Sequence, residues 1–167
     1  MKRFVSVIGP NKTKCSEELY LFGIDLGKYL IDLHWGIVCG GKLGFMEAVC
    51  KGARLSTEYD GFSTIGIIPE LEKDEANDYC DFVLPTGLSF TRNFLVINAS
   101  DYVIAAGGGA GTLSEISFAW QLKKTILCFS QYGGWSEKLA GVRIDNTCSN
   151  CILDLKELQD LKKYLPE

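Results

Sequence analysis

The stretch DYVIAAGGGAGTLSEISFAW, residues 101–120, decides the fold. Its apolar run, residues 102–106, stops at three glycines, Gly107–Gly109, and an apolar-periodic segment then begins at Thr112 with Glu115 in its first turn. An apolar run that ends in a glycine turn before such a segment predicts a buried strand joined to a helix N-terminus. The turn would present free backbone N–H groups and the positive end of a helix dipole. We therefore expect it to bind an anion, most often a phosphate.

The composition is typical of a soluble globular protein. The chain has 167 residues, of which 47% are hydrophobic and 23% charged, and we interpret residues 1–167 as a single domain. The net charge of −4 argues against a nucleic-acid partner, because nucleic-acid binding usually needs a basic face. The apolar start of the chain ends at Gly9-Pro10 and indicates a first strand, not a signal peptide. No apolar run reaches the roughly 18 residues of a membrane span, so we expect a cytoplasmic protein without membrane contact.

Six apolar runs alternate along the chain with segments of helical periodicity. The predicted strands cover residues 4–8, 37–39, 63–68, 81–85, 102–106 and 125–129. The predicted helices cover residues 15–33, 45–55, 88–98, 112–122, 135–140 and 154–165, and the polar segment 71–80 is typical of a surface loop. Apolar strands that alternate with helices predict an α/β fold. We expect a Rossmann-like, doubly wound parallel sheet of six or seven strands with helices on both faces.

In this fold class, ligands bind beyond the carboxyl ends of the strands, where the strand order reverses. Two glycine turns, residues 40–44 and 107–111, would lie at that edge and lead directly into helices. The candidate phosphate-binding residues are Gly9, Gly40, Gly41, Gly44, Gly107, Gly108, Gly109, Gly111 and Thr112. The alternative is that the glycines only allow tight packing.

Two common phosphate motifs are excluded by the residues at and after Thr112. A P-loop needs a lysine before the threonine, and Gly111 stands there instead. The dinucleotide fingerprint GxGxxG needs glycine at position 112 or 114, where the chain has Thr112 and Ser114. We therefore do not expect P-loop hydrolysis of ATP or GTP, or a standard NAD site.

The seven cysteines do not form an obvious metal or redox framework. Cys39 and Cys128 lie in predicted strands, where a free thiol packs as a small hydrophobic group. Cys148 and Cys151 form the only CxxC pair, and His34 is the only histidine. A zinc site usually needs a second such pair, so we expect reduced, unlinked thiols and no metal site.

Arg92 and Glu115 are the candidate catalytic residues. Arg92 begins the helix before the fifth strand, and both side chains should project near the phosphate-binding edge. An arginine fork binds phosphate through two hydrogen bonds, and a carboxylate suits ribose hydroxyls or a water molecule. The alternatives are a surface salt bridge for Arg92 and stabilisation of the helix dipole by Glu115.

The residues GGGAGTLSE at 107–115 resemble the PGGxGTxxE signature of the LOG family. These proteins are cytokinin-activating nucleoside 5′-monophosphate phosphoribohydrolases, often labelled lysine decarboxylases. The residues GGKLGFM at 40–46 resemble the family's GGGxxGLM turn, and Arg92 stands at the arginine of its RK motif. Gly107 replaces the signature proline and Asn93 the lysine. At these two positions the chain resembles the family's short members, which include molybdenum cofactor carrier proteins.

The resemblance, which covers about residues 3–130, implies an enzyme that hydrolyses the N-glycosidic bond of a nucleoside 5′-monophosphate. Glu115 would supply the carboxylate, Arg92 would hold the phosphate or the leaving base, and no metal or cofactor would be required. The alternative is a non-catalytic carrier or sensor of a phosphorylated pterin or a nucleotide. The resemblance also implies a homodimer or homotetramer. Pyridoxal-phosphate lysine decarboxylation is disfavoured, because the sequence offers no Schiff-base lysine with an acidic partner.

Overall fold

The computed structural model describes residues 2–147 and 152–166, so Cys148 and Cys151 lie outside the described part of the chain. Its strands are β1 (Arg3–Ile8), β2 (Trp35–Cys39), β3 (Thr64–Ile68), β4 (Phe82–Pro85), β5 (Tyr102–Ala106), β6 (Thr125–Phe129) and β7 (Leu153–Asp154). They form one parallel sheet in the order β4-β3-β2-β1-β5-β6-β7. The order reverses between β1 and β5, where doubly wound sheets open a crevice for ligands. The predicted fold class is confirmed.

Helices cover both faces of the sheet. They are α1 (Glu17–Asp32), α2 (Phe45–Ala53), α3 (Asn93–Asn98), α4 (Ala110–Gln121) and α5 (Gly134–Leu139). The helices α1 and α2 and the chain's last turns pack on one face, and α3, α4 and α5 pack on the other. Ser16 caps α1, because its hydroxyl accepts a hydrogen bond of 3.2 Å from the Leu19 N–H.

The alternation of side chains along β5 shows how the sheet uses both faces. Ile104 packs into the core beneath α1 and α2, whereas Val103 and Ala105 pack into the core beneath α3 and α4. All three are fully buried. Because neither face meets water, the strand is apolar at consecutive positions, as expected for a parallel sheet.

Two predicted helices differ from the structure. The last one, predicted over residues 154–165, is instead strand β7 followed by a 3-10 helix at Leu158–Lys163. Leu155, Leu158 and Leu161 repeat every three residues, which suits a 3-10 helix of three residues per turn as well as an α-helix. The helix predicted over 88–98 begins as a 3-10 turn at Ser89–Arg92 and becomes α-helical only at α3.

No helix in the described ranges, 2–147 and 152–166, combines the length and hydropathy that a membrane span requires.

Candidate functional site

A cavity of about 570 Å³ lies at the carboxyl edge of the sheet, where the strand order reverses. Residues 9–11 after β1 form one wall, and residues 109–112 at the start of α4 form the opposite wall. Arg92 and Glu115 also line it. Its volume falls within the range of pockets that enclose a small-molecule ligand.

The N-terminus of α4 supplies the wall that suits an anion. Gly109 is the N-cap, and the first helical hydrogen bond runs from the Leu113 N–H to the Gly109 carbonyl at 3.0 Å. The N–H groups of residues 110–112 therefore have no partner within the helix. Gly111 leaves open space, since a Cβ there would meet only the Asn93 amide, at 4.0 Å. A phosphate could approach this backbone closely and gain the helix dipole.

Lys14 adds a positive charge to the same wall. Its ammonium lies 3.5 Å from the position that a Cβ would take on Gly109, and the residue lines the cavity. Lys42 also lines the cavity, but its ammonium donates to the Glu70 carboxylate at 2.7 Å and to the Glu75 carbonyl at 2.9 Å. Because these acceptors already hold Lys42, Lys14 is the lysine better placed to meet an anion.

Arg92 and Glu115 meet at the bottom of the cavity. Arg92 Nη1 lies 3.6 Å from Glu115 Oε1, and the two side chains are only 10% and 9% exposed. The sequence predicts Glu115 in the first turn of its helix. This prediction is wrong, because α4 begins at Ala110 and places Glu115 in the second turn. It therefore does not cap the helix, and its carboxyl group faces Arg92 within the cavity.

Burial controls the charge of this pair. Desolvation raises the pKa of Glu115 to about 8, although the positive charge of Arg92 opposes the shift. Burial lowers the pKa of Arg92, and Glu115 opposes that shift in turn. At neutral pH the cavity thus holds a largely protonated Glu115 beside a charged arginine.

Arg92 is positioned by close packing rather than by hydrogen bonds. Its guanidinium lies on Gly40, where a Cβ would come within 2.6 Å of Nη2. Only glycine at position 40 allows this approach. Among the described residues, neither Arg92 Nε nor Glu70 Oε2 has a hydrogen-bond partner, although both atoms are buried. A buried polar atom without a partner is costly, so a ligand in the cavity would relieve that cost.

Two polar contacts fix the helices that carry the pair. The Ser6 hydroxyl donates to the Val96 carbonyl at 2.6 Å, which holds α3 against β1. The Asn93 amide donates to the Ser114 hydroxyl at 2.9 Å, which joins α3 to α4. Arg92 directly precedes α3 and Glu115 lies in α4, so both residues are carried by helices that are tied to each other, and α3 is also tied to the sheet.

The candidate residues divide into two groups. Those that line the cavity are Arg92, Glu115, Gly9, Gly109, Gly111 and Thr112. Those that are not part of its lining are Gly40, Gly41, Gly44, Gly107 and Gly108. The second group shapes the loops.

The turn at Gly107 and Gly108 packs against the start of α5. The Ser136 N–H donates to the Gly107 carbonyl and the Trp135 N–H to the Gly108 carbonyl, both at 3.1 Å. Gly107 has a φ of +64°, which proline cannot adopt because its ring fixes φ near −65°. The turn therefore differs in conformation from one that begins with the signature proline.

Lys14, Glu70 and Phe90 line the cavity but were not among the candidate residues. Glu70 lies two residues after the end of β3, so the rule about carboxyl ends of strands could have found it. Lys14 and Phe90 lie in 3-10 turns whose direction the sequence does not show. The Phe90 side chain is 83% exposed at the cavity, where an aromatic ring could stack on a planar ligand.

A parallel doubly wound sheet with a glycine-rich helix N-terminus and an Arg–Glu pair at its switch point defines a LOG-like Rossmann protein. The model of the SLOG cluster4 family matches residues 2–158, and the chain belongs to this family. The structure of TM1055, solved by a structural genomics consortium, is similar with a TM-score of 0.85 and 28% identity over 96% of each chain.

Two further relatives carry names that describe a function. The molybdenum cofactor binding protein of Rippkaea orientalis is 32% identical, with a TM-score of 0.69 over 76% of each chain. A cytokinin riboside 5′-monophosphate phosphoribohydrolase of Mycobacterium tuberculosis is 30% identical over 106 residues. That match covers 62% of this chain and 54% of the relative, so the chain spans about half the length of that enzyme.

Proposed function

We propose that the protein binds a nucleoside 5′-monophosphate and hydrolyses its N-glycosidic bond to give a free base and ribose 5-phosphate. One observation carries the proposal: the N-terminus of α4, Arg92 and Glu115 all line the same cavity. An anion site beside an arginine and a buried carboxyl group provides separate places for the phosphate and for the reacting sugar. The name of the Mycobacterium tuberculosis relative supports this reading.

The reaction follows from these positions. The N–H groups of residues 110–112 and the Lys14 ammonium would bind the 5′-phosphate. The bond between ribose C1′ and the base nitrogen then breaks, and its electron pair leaves with the base, which takes up a proton. Water adds its hydroxide to C1′. Positive charge develops on the sugar in this step, and the ionised Glu115 carboxylate would stabilise it.

The proposed reaction needs no metal or other cofactor at this cavity. Arg92 would hold the phosphate or the departing base, and its Nε, which has no partner among the described residues, offers a donor for either. The exposed ring of Phe90 could stack on the base. Each of these roles uses a group that the protein already holds in place.

A second candidate is a carrier that binds a phosphorylated pterin or a nucleotide without turnover. The conformation of Gly107 favours it, because the hydrolase signature has a proline at this position and the φ of +64° excludes one. The name and 32% identity of the Rippkaea orientalis protein support the same reading.

A direct assay separates the two functions. Purified protein is incubated with a panel of nucleoside 5′-monophosphates, and free base is followed by chromatography. Hydrolysis should appear with at least one nucleotide and be abolished in Glu115→Gln. Arg92→Lys should weaken nucleotide binding about 10- to 100-fold, because it loses charge-assisted hydrogen bonds.

The matched control is Glu72→Gln, which changes an exposed glutamate outside the cavity and should leave turnover unchanged. If no nucleotide yields free base while a thermal-shift screen still finds a ligand, the hydrolase proposal fails and the carrier proposal stands. If Glu115→Gln retains turnover, the role of Glu115 is wrong.

We also propose that the protein works in the cytoplasm as a homodimer or homotetramer. The support for the oligomer is a set of exposed apolar side chains close in sequence to the cavity-lining segments: Leu71, Phe82, Leu84 and Leu88. A second copy that covered them would remove apolar surface from water. Light scattering coupled to gel filtration gives the mass directly, and a monomer at all concentrations would overturn this proposal.

A further inference from the structure

Three cysteine sulfurs meet on the face of the sheet covered by α2. Cys39 ends β2, Cys50 lies in α2, and Cys80 precedes β4. Their Sγ atoms are 3.7 Å apart for Cys39 and Cys50 and 3.8 Å apart for Cys50 and Cys80, and all three lie within 4.8 Å of one another. We call these residues the thiol cluster.

The fold brings the cluster together from distant parts of the chain. Cys39 pairs in the sheet with Gly66 of β3, and Gly66 leaves the space that the Cys80 sulfur occupies. A Cβ on Gly66 would lie 2.7 Å from Cys80 Sγ. Met46 packs beside Cys39 and Cys50 and adds a thioether to the same place. The site is thus rich in soft sulfur atoms.

We infer that the thiol cluster is a binding site for a single Zn²⁺ ion, ligated by Cys39, Cys50 and Cys80. Tetrahedral zinc with Zn–S bonds of about 2.3 Å holds its sulfurs about 3.8 Å apart. Two of the three separations match this distance, and the third, between Cys39 and Cys80, is no more than 4.8 Å. A disulfide would need two sulfurs about 2.05 Å apart, so the sulfurs of either pair would have to move closer together to form one, whereas zinc could bind them at their present separations.

The charges nearby favour a divalent over a monovalent soft cation. Three thiolates with Zn²⁺ leave one net negative charge, whereas three thiolates with Cu⁺ leave two. The Arg92 guanidinium lies on Gly40, the residue that follows Cys39, and can offset one charge. Burying a second, unpaired negative charge would be costly. The partly exposed Cys80 gives the ion a path from solvent and leaves the fourth position for water.

The test begins with protein that has been reduced and stripped of metal by a chelator. Zn²⁺ is titrated against a chromophoric chelator, and bound zinc is counted by mass spectrometry. We expect one ion per chain. Cys80→Ser should weaken zinc binding by more than about 100-fold, since even the partners of metal ligands change affinity about 10- to 100-fold. Co²⁺ in place of Zn²⁺ should give thiolate-to-metal charge-transfer absorption, which Cys80→Ser should diminish.

The controls use cysteines outside the cluster. Cys15→Ser and Cys128→Ser should bind zinc as the unchanged protein does, and so should the double variant Cys148→Ser with Cys151→Ser. Loss of zinc only in the double variant would assign the ion to the CxxC pair and overturn the inference.

Two further results would also overturn it. One is equal zinc binding with and without Cys80, and the other is no binding by the reduced protein, which would leave the cluster as packed free thiols. Cys80 is the least buried of the three cysteines, so its replacement is the least disruptive to folding. An increase in the melting temperature with added Zn²⁺, absent in Cys80→Ser, provides a readout that does not depend on affinity fitting.

Discussion

Replacing Glu115 by glutamine should make the protein more stable while it removes the proposed activity. Burial raises the pKa of this carboxyl group from 4.5 to about 8. The native state therefore keeps a proton at neutral pH that the unfolded chain releases. That release favours unfolding by about 3 kcal/mol at pH 7 and by up to about 5 kcal/mol above pH 8. Glu115→Gln has no proton to release, so it should gain these amounts.

The effect has a defined pH window. Below about pH 4.5, the folded and unfolded states of the native sequence both hold the proton, and the variant should gain no stability. Between about pH 4.5 and pH 8, the free energy of unfolding of the native sequence falls by about 1.4 kcal/mol per pH unit from this group. Above pH 8, both states are ionised and the difference between the two proteins becomes constant. Arg92 and Cys39 are the other titratable or charged groups that act on Glu115, and both remain in the variant.

Urea unfolding followed by circular dichroism, from about pH 5 to about pH 9, measures this difference. Glu72→Gln is the matched control, because it makes the same chemical change at an exposed position. Its difference from the native sequence should be small and change little with pH. A stability difference for Glu115→Gln that stays constant or shrinks as pH rises would refute the assignment of a protonated, buried Glu115.

Three other perturbations test the site and the fold. If Glu115 acts as a carboxylate, kcat/KM for the hydrolysed nucleotide should rise with pH and level off above about pH 8, and a fall over this range would assign it as a general acid. Gly134→Ala should destabilise by about 2–4 kcal/mol in thermal unfolding, because φ is +65° and its Cβ would lie 2.5 Å from a carbonyl oxygen of the neighbouring glycine turn. Gly141→Ala has a similar φ with nothing within 4 Å, so it should cost only about 1 kcal/mol, and equal losses would contradict the packing argument. Asp81→Ala should cost about 3 kcal/mol in urea unfolding, because its carboxylate accepts two backbone N–H bonds of 2.9 Å, while Asp81→Asn keeps an oxygen acceptor and should lose less.

The sheet could be predicted because its signals are local. The strands β5 and β6 occupy the predicted residues, since both are apolar runs bounded by turn residues and buried on both faces. The prediction of a last α-helix was wrong for two reasons. A spacing of three residues fits a 3-10 helix as well as an α-helix, and β7 is defined by its pairing with β6. Pairing with a distant strand leaves little trace in a two-residue segment.

The site could be predicted only in part, for a similar reason. Sequence position places Arg92 and Glu115 at the same edge of the sheet, but their separation depends on how α3 packs against α4. The prediction that Glu115 lies in the first helical turn failed because α4 starts at Ala110, inside the glycine run. The thiol cluster left no spacing signal at all, because Cys39, Cys50 and Cys80 meet only through tertiary packing.

The energetics of the Arg92–Glu115 pair argue against a purely structural salt bridge. A structural pair would gain stability through direct hydrogen bonds, and its carboxylate would have a pKa below the ordinary value. Here Arg92 Nη1 and Glu115 Oε1 are 3.6 Å apart, which is longer than a hydrogen bond, and the pKa of Glu115 is raised instead of lowered. Arg92 Nε has no hydrogen-bond partner among the described residues, and the guanidinium packs on the backbone of Gly40. The pair therefore costs stability, which is expected of residues at a functional site and not of a structural salt bridge.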